Sequence, residues 1–312
     1  MTSFIPAWFI PAVLTATVTF TFPVLIAGLG EATSERAGVY NVGMEGYMLF
    51  GAFFGFLGAL EVHSIAAGFL IAMVAGMALS LVHAYCSITL KVNQIISGVA
   101  LWLLGIGVTT FLNRAIFASG TRSIKSLAEV HWGAASRIPW LGQIVFRQNV
   151  LVYVGFGLVI VFAVVFHRTP FGLLNKAVGI NPLAVDLAGH SVTRLRYASV
   201  LTCGAMSGLA GGYLSLAVLG SFTEEMTGGR GFIAICIVIF GRWEPKGVLL
   251  GALLFAAAEA FQARVQTAGA PVAYPFLLMI PYLLTLVVLV LAVRRGVAPA
   301  KLGVPYNKGS KD

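Results

Sequence analysis

The chain has 312 residues, of which 59% are hydrophobic and only 10% are charged. Because a soluble domain carries about 25% charged residues, this composition excludes a water-soluble globular protein and predicts one that crosses a membrane several times. The net charge of +9 does not indicate a nucleic-acid partner here, since Lys and Arg collect in the cytoplasmic loops of membrane proteins.

Nine apolar segments are long enough to span, or nearly span, about 30 Å of hydrocarbon. We expect an all-α fold, because lipid offers the backbone no hydrogen-bond partner and the segments lack the alternation of a β-barrel. The seventh is short and is predicted to be broken or re-entrant, so we expect eight to ten spans in a single domain, 1–312. The predicted segments are 6–29, 40–60, 64–90, 94–113, 149–167, 196–219, 231–242, 246–266 and 272–293.

Basic residues predict the orientation of these segments. Lys and Arg are frequent in the tail 294–312, the loop 168–194 and the turn 242–246, so we expect all three in the cytoplasm. The C-terminus is then cytoplasmic and the N-terminus external. The loop 114–148 falls outside despite its five basic residues, because long loops obey the charge rule less strictly.

The stretch GEATSERAGVYNVGMEG, at 30–46, is polar although apolar segments flank it. Polar side chains near membrane depth face a partner or a pathway rather than lipid. We interpret residues 31–36 as a salt-bridge cluster at a helix junction, and residues 41–45 as polar, glycine-flexed backbone at or near membrane depth. Asn41 and Glu45 are therefore candidate pathway residues. The alternative for Glu45 is a structural anchor that binds helix N-terminal amides or a nearby cation.

The cytoplasmic loop contains a second predicted feature. Pro170 and Pro182 punctuate it, and Asn181 can cap a short helix over Leu183–Ala188 that Gly189 would end. A short helix between two spans on the basic side of a membrane suits the docking of a soluble partner. An ordinary surface loop is the alternative.

The block GSFTEEMTGGRG, at 220–231, is the external counterpart. Phe222 offers a ring that could stack on a base, and the acidic pair 224–225 could meet a receptor or a substrate; a plain loop is the alternative. Arg230 opens a short apolar segment and needs an acceptor, so we predict that it pairs with a carboxylate near the pathway.

Glycines at four-residue spacing predict close helix contacts. Gly204, Gly208 and Gly212 line one helix face, which lets another backbone approach. We favour packing inside one subunit, with a dimer seam or a hinge as the alternatives.

Signatures of catalysis are missing from the sequence. It contains no GxxxxGK[ST], HExxH or GxSxG motif. The three cysteines lie in apolar segments without a CxxC pair, so we expect free thiols. We therefore predict a transporter, with no catalytic residue, metal or cofactor of its own.

Several sequence blocks resemble the permease subunits of ATP-binding-cassette (ABC) importers in the branched-chain amino acid and simple-sugar permease superfamily. The resemblance is closest to nucleoside and purine importer permeases that work with basic-membrane-protein-type lipoprotein receptors. Where relatives usually carry FGLRLRAVG, this chain has FGLLNKAVG, which leaves Lys176 as the nearby cation. The blocks, in the expected order, are GE at 30–31, SERAGV at 34–39, NVG at 41–43, EG at 45–46, GA at 51–52, NQIISG at 93–98, PFG at 170–172, AVG at 177–179, NP at 181–182, TGGRGFIA at 227–234 and FGRW at 240–243 with Pro245.

The resemblance implies how such a chain works. The loop 170–190 would be a coupling helix that fits a groove on an ATP-binding subunit, and ATP would be bound and hydrolysed on that partner. The implied coupling residues are Pro170, Phe171, Gly172, Asn181, Pro182, Leu183, Asp186 and Gly189. The stretch 41–45 would be the broken start of a helix beside the pathway, with Asn41 and Glu45 facing the substrate. With Phe222 and Arg230 from the external block, these are the candidate pathway residues.

The resemblance also implies an assembly. The expected partners are an ATPase with tandem nucleotide-binding domains, a second homologous permease, an extracytoplasmic substrate-binding lipoprotein and membrane lipid, in the cell (inner) membrane. Nucleosides or purines are the expected substrates, with ribose-type sugars or a vitamin as alternatives. The alternative from a different class of protein is a stand-alone secondary carrier, in which Glu45 or Glu259 would be an ion site.

Overall fold

The computed structural model describes residues 9–117, 120, 122–133, 136, 138–268, 274–293 and 298–307. Two of its helices continue as π-helical turns, over Tyr85–Thr89 and over Leu214–Leu219. The helices and strands are α1 (Phe9–Arg36), α2 (Met44–Val62), α3 (Ile65–Ala84), α4 (Gln94–Ile116), β1 (Glu129–His131), α5 (Leu141–Val145), β2 (Arg147–Asn149), α6 (Val150–Arg168), α7 (Pro170–Ile180), α8 (Pro182–Leu187), α9 (Val192–Tyr213), α10 (Arg230–Phe240), α11 (Pro245–Thr267) and α12 (Tyr274–Val293).

Seven helices are long and apolar enough to cross a membrane: α1, α2, α3 with its π turn, α4, α6, α9 with its π turn, and α11. Helix α10 has only 11 residues, which agrees with the short seventh segment predicted from the sequence. The ninth predicted segment coincides with α12, in which the apolar stretch found among the described residues is Pro275–Leu284. The all-α, multi-pass fold is confirmed. The described residues contain seven candidate spans, so the predicted count of nine is not confirmed.

Strand structure is confined, in the described ranges, to a small ribbon in the loop 114–148. Strands β1 and β2 pair antiparallel, with Val130 opposite Gln148. The loop also folds back over a helix end, since Ile124 N donates to Gly220 O (2.8 Å) and Leu127 N to Leu216 O (3.2 Å). A segment outside the hydrocarbon can form such a ribbon because the remaining polar groups of its backbone have water as a partner.

Helices α1 and α9 form the centre of the molecule. Helix α9 packs against α1, α2 and α3, while α1 also packs against α10 and α11. From Thr21 to Arg36 every residue of α1 is buried. A helix that is apolar on all sides suits a fully buried position. Because the end of α1 is buried as well, the polar residues there need partners inside the protein.

Glycines allow the central helices to touch backbone to backbone. A Cβ atom on Gly211 would lie 1.8 Å from Met48 O, and one on Gly208 would lie 2.2 Å from Ala72 O. Both distances are far below contact, so only glycine fits there. The prediction of close packing within one subunit is confirmed for α9 against α2 and α3.

Contacts divide the loops between two ends of the helix bundle. At one end lie α7, α8, the turn 241–244 and the segment 298–307, where Arg36 contacts Glu244 and Lys301 contacts Gly179. At the other end Arg114 pairs with Glu224 and the loop 122–133 meets Gly220. The loops that the basic residues predicted to be cytoplasmic therefore share one end.

Candidate functional site

Asn41 lies in a closed polar network at the break between α1 and α2. It is fully buried, and its Oδ1 accepts a hydrogen bond from the Tyr47 hydroxyl (2.8 Å). Its backbone N–H donates to Glu31 Oε1 (3.1 Å), while Glu31 Oε2 accepts from the Cys203 thiol (3.1 Å). The network joins α1, α2 and α9. Cys203 is a free, buried thiol as expected, whereas its hydrogen bond to a carboxylate was not predicted.

Glu45 fastens the start of α2 to the start of α10. Its Oε1 accepts from the Thr227 hydroxyl (2.6 Å) and from Gly229 N (2.7 Å), and its Oε2 accepts from Gly231 N (2.6 Å). The side chain is buried, so these donors replace water around the carboxylate. Helix N-termini attract negative charge. The structural anchor considered for Glu45 is therefore present, and a role in substrate contact stays a prediction.

Arg230, the first residue of α10, pairs with a carboxylate as predicted. Its Nη2 donates to Glu259 Oε1 on α11, and its Nη1 donates to Thr227 O (3.0 Å) and Met226 O (3.3 Å). The two charged side chains are mostly buried, with 18% and 21% of their surfaces exposed. The pair fixes the start of α10 to α11, beside the Glu45 anchor.

The salt-bridge cluster expected among residues 31–36 is wrong. Glu31 is held by neutral donors, Glu35 Oε2 accepts from Trp243 Nε1, and neither makes an ion pair within the described ranges. Arg36 instead reaches across to Glu244 Oε1 (3.2 Å) and lies over the Phe166 ring, 4.2 Å from its centroid. These partners come from α6 and the α10–α11 turn, so residue spacing within the stretch could not reveal them.

The ring of Phe222 is buried rather than open to a ligand. It is 3% exposed and meets the Phe53 ring edge to face, with centroids 5.1 Å apart. Stacking on a base would require this contact to open, and that role stays a prediction.

An open cavity of about 620 Å³ lies nearby at the same end of the bundle, between α4 and residues 224–225. Phe111, 70% exposed, and Thr110 line it, together with the Arg114–Glu224 pair. Hydrogen bonds from Arg114 hold the pKa of Glu224 below its usual range, so this carboxylate stays charged. The volume falls in the range of about 300–1,000 Å³ that small-molecule pockets occupy. The sequence did not single out Phe111, because an aromatic residue inside an apolar helix gives no local signal.

Helices α7 and α8 form the predicted short-helix motif. Pro170 is the first residue of α7, and Thr169 Oγ1 accepts a hydrogen bond from Gly172 N (3.3 Å). Asn181 Oδ1 accepts from Ala184 N at the start of α8 (3.2 Å), and Gly189 follows α8 with φ +85°. The helix predicted over 183–188 is confirmed within one residue, because its capping residues act locally.

Other coupling residues divide between buried supports and exposed tips. Pro182 and Val185 are buried, whereas Leu183 and Leu187 are 39% and 79% exposed. Asp186 accepts a hydrogen bond from the Tyr306 hydroxyl (3.1 Å). Phe171 is half-buried, and Gly172 touches the backbone of Phe166, where a Cβ would lie 2.5 Å from its Cα.

Asn175 of α7 is a support that the sequence analysis missed. It is fully buried, and its Nδ2 donates to Thr33 O on α1 (2.9 Å) and to the Ser199 hydroxyl on α9 (2.8 Å). The altered FGLLNKAVG block therefore ties α7 to both central helices through an amide. An asparagine on the buried face of an amphipathic helix is the signal that could have revealed it.

The helical bundle, with its buried polar joints and its capped helix pair at one end, is a multi-pass membrane protein. Among the residues that the structure describes, no three His, Cys, Asp or Glu side chains cluster as a metal site. Residues 13–293 match the family described as branched-chain amino acid transport system / permease component, so the chain belongs to that family.

Several curated proteins are similar to this chain. A Haloferax volcanii permease whose name assigns it provisionally to a glucose ABC transporter, TsgC13, is 40% identical over 83% of this chain and 79% of its own length. The guanosine ABC transporter permease NupQ of Bacillus subtilis is 33% identical over 96% and 97% of the two chains. The nucleoside ABC transporter permease NupC of Lactococcus lactis is 34% identical over 93% and 94%. In each of these organisms a second, less similar permease carries the same substrate in its name. No solved structure matches the chain.

Proposed function

We propose that this chain is the membrane-spanning permease subunit of an ATP-driven ABC importer. The observation that carries the proposal is the capped pair α7 and α8, which presents Leu187, 79% exposed, at the end that basic residues assign to the cytoplasm. A large aliphatic side chain gains about 1.5–3 kcal/mol when it is buried, so this tip suits a groove on a soluble partner. ATP is bound and hydrolysed on that partner, an ATPase with tandem nucleotide-binding domains.

The substrate that we propose is a nucleoside or a purine. The guanosine and nucleoside permeases, similar over 96% and 93% of this chain, support it. A sugar is the second candidate, favoured by the 40% identity to the permease named for glucose. Nucleosides and sugars both carry a ring with several hydroxyl groups, but only a nucleoside also presents a flat aromatic base.

The break between α1 and α2 is the segment that we place beside the translocation pathway. Asn41 lies in this break, and Glu45 follows it at the start of α2, where it contacts both neighbours of Arg230. Phe222 packs against Phe53 further along α2. The contacts of Glu45 hold α2 and α10 together, so substrate passage requires α10 to withdraw from α2. This movement would release the carboxylate and the three donors that now satisfy it.

The importer that we propose contains two unlike permeases in the cell (inner) membrane. The second permease that carries the same substrate in its name in each of the three organisms supports a heterodimer. A substrate-binding lipoprotein delivers the solute to the end with Arg114 and Glu224, and the C-terminus lies in the cytoplasm. The described residues 298–307 lie beside α8.

A competition measurement tests the substrate. The tagged chain and the subunits that copurify with it are reconstituted in vesicles. Uptake of radiolabelled guanosine is measured against excess adenosine, guanine, ribose or glucose, and uptake of radiolabelled glucose is measured against excess guanosine. We expect adenosine or guanine to compete and glucose to have no effect. Glucose uptake that guanosine leaves unchanged would overturn the nucleoside assignment in favour of the sugar.

A further inference from the structure

The segment Ala298–Asn307, called here the C-terminal strap, folds back across the end of the bundle that carries α7 and α8. Lys301 N donates to Gly179 O at the end of α7 (2.9 Å). Gly303 N donates to Gly38 O in the α1–α2 loop (3.1 Å). The strap therefore bridges the coupling helices and the loop that leads to Asn41.

Arg196 of α9 anchors the middle of the strap. It is 1% exposed, its Nε donates to Ala37 O (3.1 Å), and its Nη1 donates to Val304 O (3.0 Å). Gly38 has φ +84°, and a Cβ there would lie 2.9 Å from Lys301 O. A buried guanidinium and a tight glycine contact are features of a built junction rather than of a loosely attached tail.

Tyr306 connects the strap to α8. Its hydroxyl donates to Asp186 Oδ2 (3.1 Å), and its ring packs against a valine cluster that includes Val185 of α8. Desolvation and the Asp186 carboxylate raise the pKa of Tyr306, so the hydroxyl stays a donor at physiological pH. Cavities of about 510 Å³ and 230 Å³ both have Tyr306 in their lining, the first with Asp186 and the second with Leu183.

Helix α8 needs such support. It has six residues, of which only Pro182 and Val185 are buried, and a helix of one or two turns is unstable without tertiary contacts. A binding element that is held in its bound shape loses less conformational entropy when the partner docks.

We propose that the C-terminal strap, through Tyr306, holds α8 in its docking position and forms part of the ATPase-docking surface. This inference rests on the proposed function. Leu183 and the exposed Val304 line one cavity, and Leu187 is exposed on the same short helix as Leu183. These apolar side chains suit an apolar groove of a protein partner. The partner is the ATPase, because the strap lies beside α8, which is the helix that we propose docks on that subunit.

The test measures the Kd between the purified chain in nanodiscs and its isolated ATPase, which is first identified by copurification from native membranes. Tyr306→Phe keeps the ring and loses the bond to Asp186, so we expect the Kd to rise about two- to tenfold. Tyr306→Ala also loses the packing, and we expect a rise of about tenfold or more. Thermal unfolding of Tyr306→Phe stays unchanged, which separates docking from folding.

Tyr153→Phe is the matched control, since it removes a tyrosine hydrogen bond to Val145 O at the other end of the bundle (2.6 Å). Its Kd stays at the wild-type value. A wild-type Kd for both Tyr306 variants, while Leu187→Asp abolishes binding, would overturn the role of the strap and leave the docking role of α8 intact. A wild-type Kd for Leu187→Asp would overturn the docking role itself.

Discussion

Glu45 shows how hydrogen-bond donors hold a carboxylate inside a membrane protein, since its partners in the described part of the chain are two backbone N–H groups and a hydroxyl. A charged side chain costs about 2.5–3.5 kcal/mol at the centre of a bilayer on insertion scales. Two backbone N–H groups at the start of α10 and the Thr227 hydroxyl offset this cost by donating to its two oxygens. The same contacts set the distance between α2 and α10.

Glu45→Gln tests that joint. The amide group has one acceptor where the carboxylate has two, so one N–H at the start of α10 loses its partner. We expect the free energy of unfolding to fall by about 1.5–3 kcal/mol, the usual value for a hydrogen bond to a charged group, and uptake to fall with it. Thermal unfolding of the purified chain measures the loss.

Glu61→Gln serves as the control for this change, because Glu61 is exposed near the end of the same helix. It leaves stability within about 0.5 kcal/mol. Equal stabilities for the two variants would show that Glu45 does not fasten α10.

Arg230 and Glu259 form the second charged joint. Arg230→Ala leaves Glu259 with little solvent and without its cation, so we expect a loss of about 1–3 kcal/mol of stability and reduced uptake. Arg230→Lys retains the charge and recovers part of both. In a double-mutant cycle, removing both partners costs less than the sum of the single changes. Wild-type uptake for both Arg230→Ala and Arg230→Lys, at normal expression, would refute a role of the pair in transport.

The partners of single charged residues could not be predicted from the sequence. The need of Arg230 for a carboxylate followed from its charge in an apolar segment, but Glu259 lies 29 positions away and could not be named. Trp243 and Glu244, which hydrogen-bond Arg36 and Glu35, lie more than 200 positions away. Such pairings depend on how helices pack, which no local pattern encodes.

At the scale of elements, helix positions follow closely from the sequence. Apolar segments and capping residues act locally, so α2, α4, α6, α8 and α11 lie where they were predicted. The π-helical turns after α3 and α9 and the β1–β2 ribbon were not predicted. Their local sequence does not differ from that of an ordinary helix or loop, and tertiary contacts decide their form.

Gly211→Ala tests the close packing of α9. The new methyl group would meet the Met48 carbonyl, which is backbone and cannot move aside. We expect a loss of about 1–3 kcal/mol or more from overpacking, measured as thermal stability in detergent.

The control for this change is Gly157→Ala in α6, where nothing lies within 4 Å. An open helical position gains about 0.5–1 kcal/mol from alanine, so this variant is at least as stable as the wild type. A stable Gly211→Ala would contradict the close contact between α9 and α2.

Asp186→Arg tests α8 as an element. The change replaces the acceptor of the Tyr306 hydroxyl with a bulky cation, and it reverses the charge on the docking face. We expect ATP-driven uptake to be abolished while membrane insertion stays normal, as measured by vesicle uptake and by the amount of chain in the membrane. Asp186→Asn keeps an acceptor and retains part of the uptake. Full uptake by Asp186→Arg would remove the docking role of α8.

In the molecule as a whole, the features with proposed roles are distributed from one end of the helix bundle to the other. The α7–α8 pair and the C-terminal strap lie at one end, the Asn41 and Glu45 joints lie inside, and the cavity beside Phe111 lies at the other end. Helix α1 and the α1–α2 loop connect these levels, since they contact α7, the strap and α9. A movement of α8 can therefore reach the interior through packed backbone.

Composition predicted that the chain crosses a membrane several times, and basic residues predicted which loops lie at the same end. The substrate could not be predicted, because the candidate residues Asn41 and Glu45 hold protein groups and Phe222 is buried against Phe53. To contact a base or a sugar, these side chains would first have to leave their present protein partners. The identity of the substrate therefore depends on which side chains line the open pathway, and no local sequence pattern encodes that.

We propose that this chain transports its solute only when an ATPase drives it. The most direct measurement is uptake of radiolabelled guanosine into vesicles that hold the chain with its copurifying subunits, compared with vesicles that hold the chain alone, each with and without ATP. We expect accumulation only in the complete assembly with ATP. Accumulation by the chain alone, driven by an ion gradient and independent of ATP, would contradict it and indicate a secondary carrier.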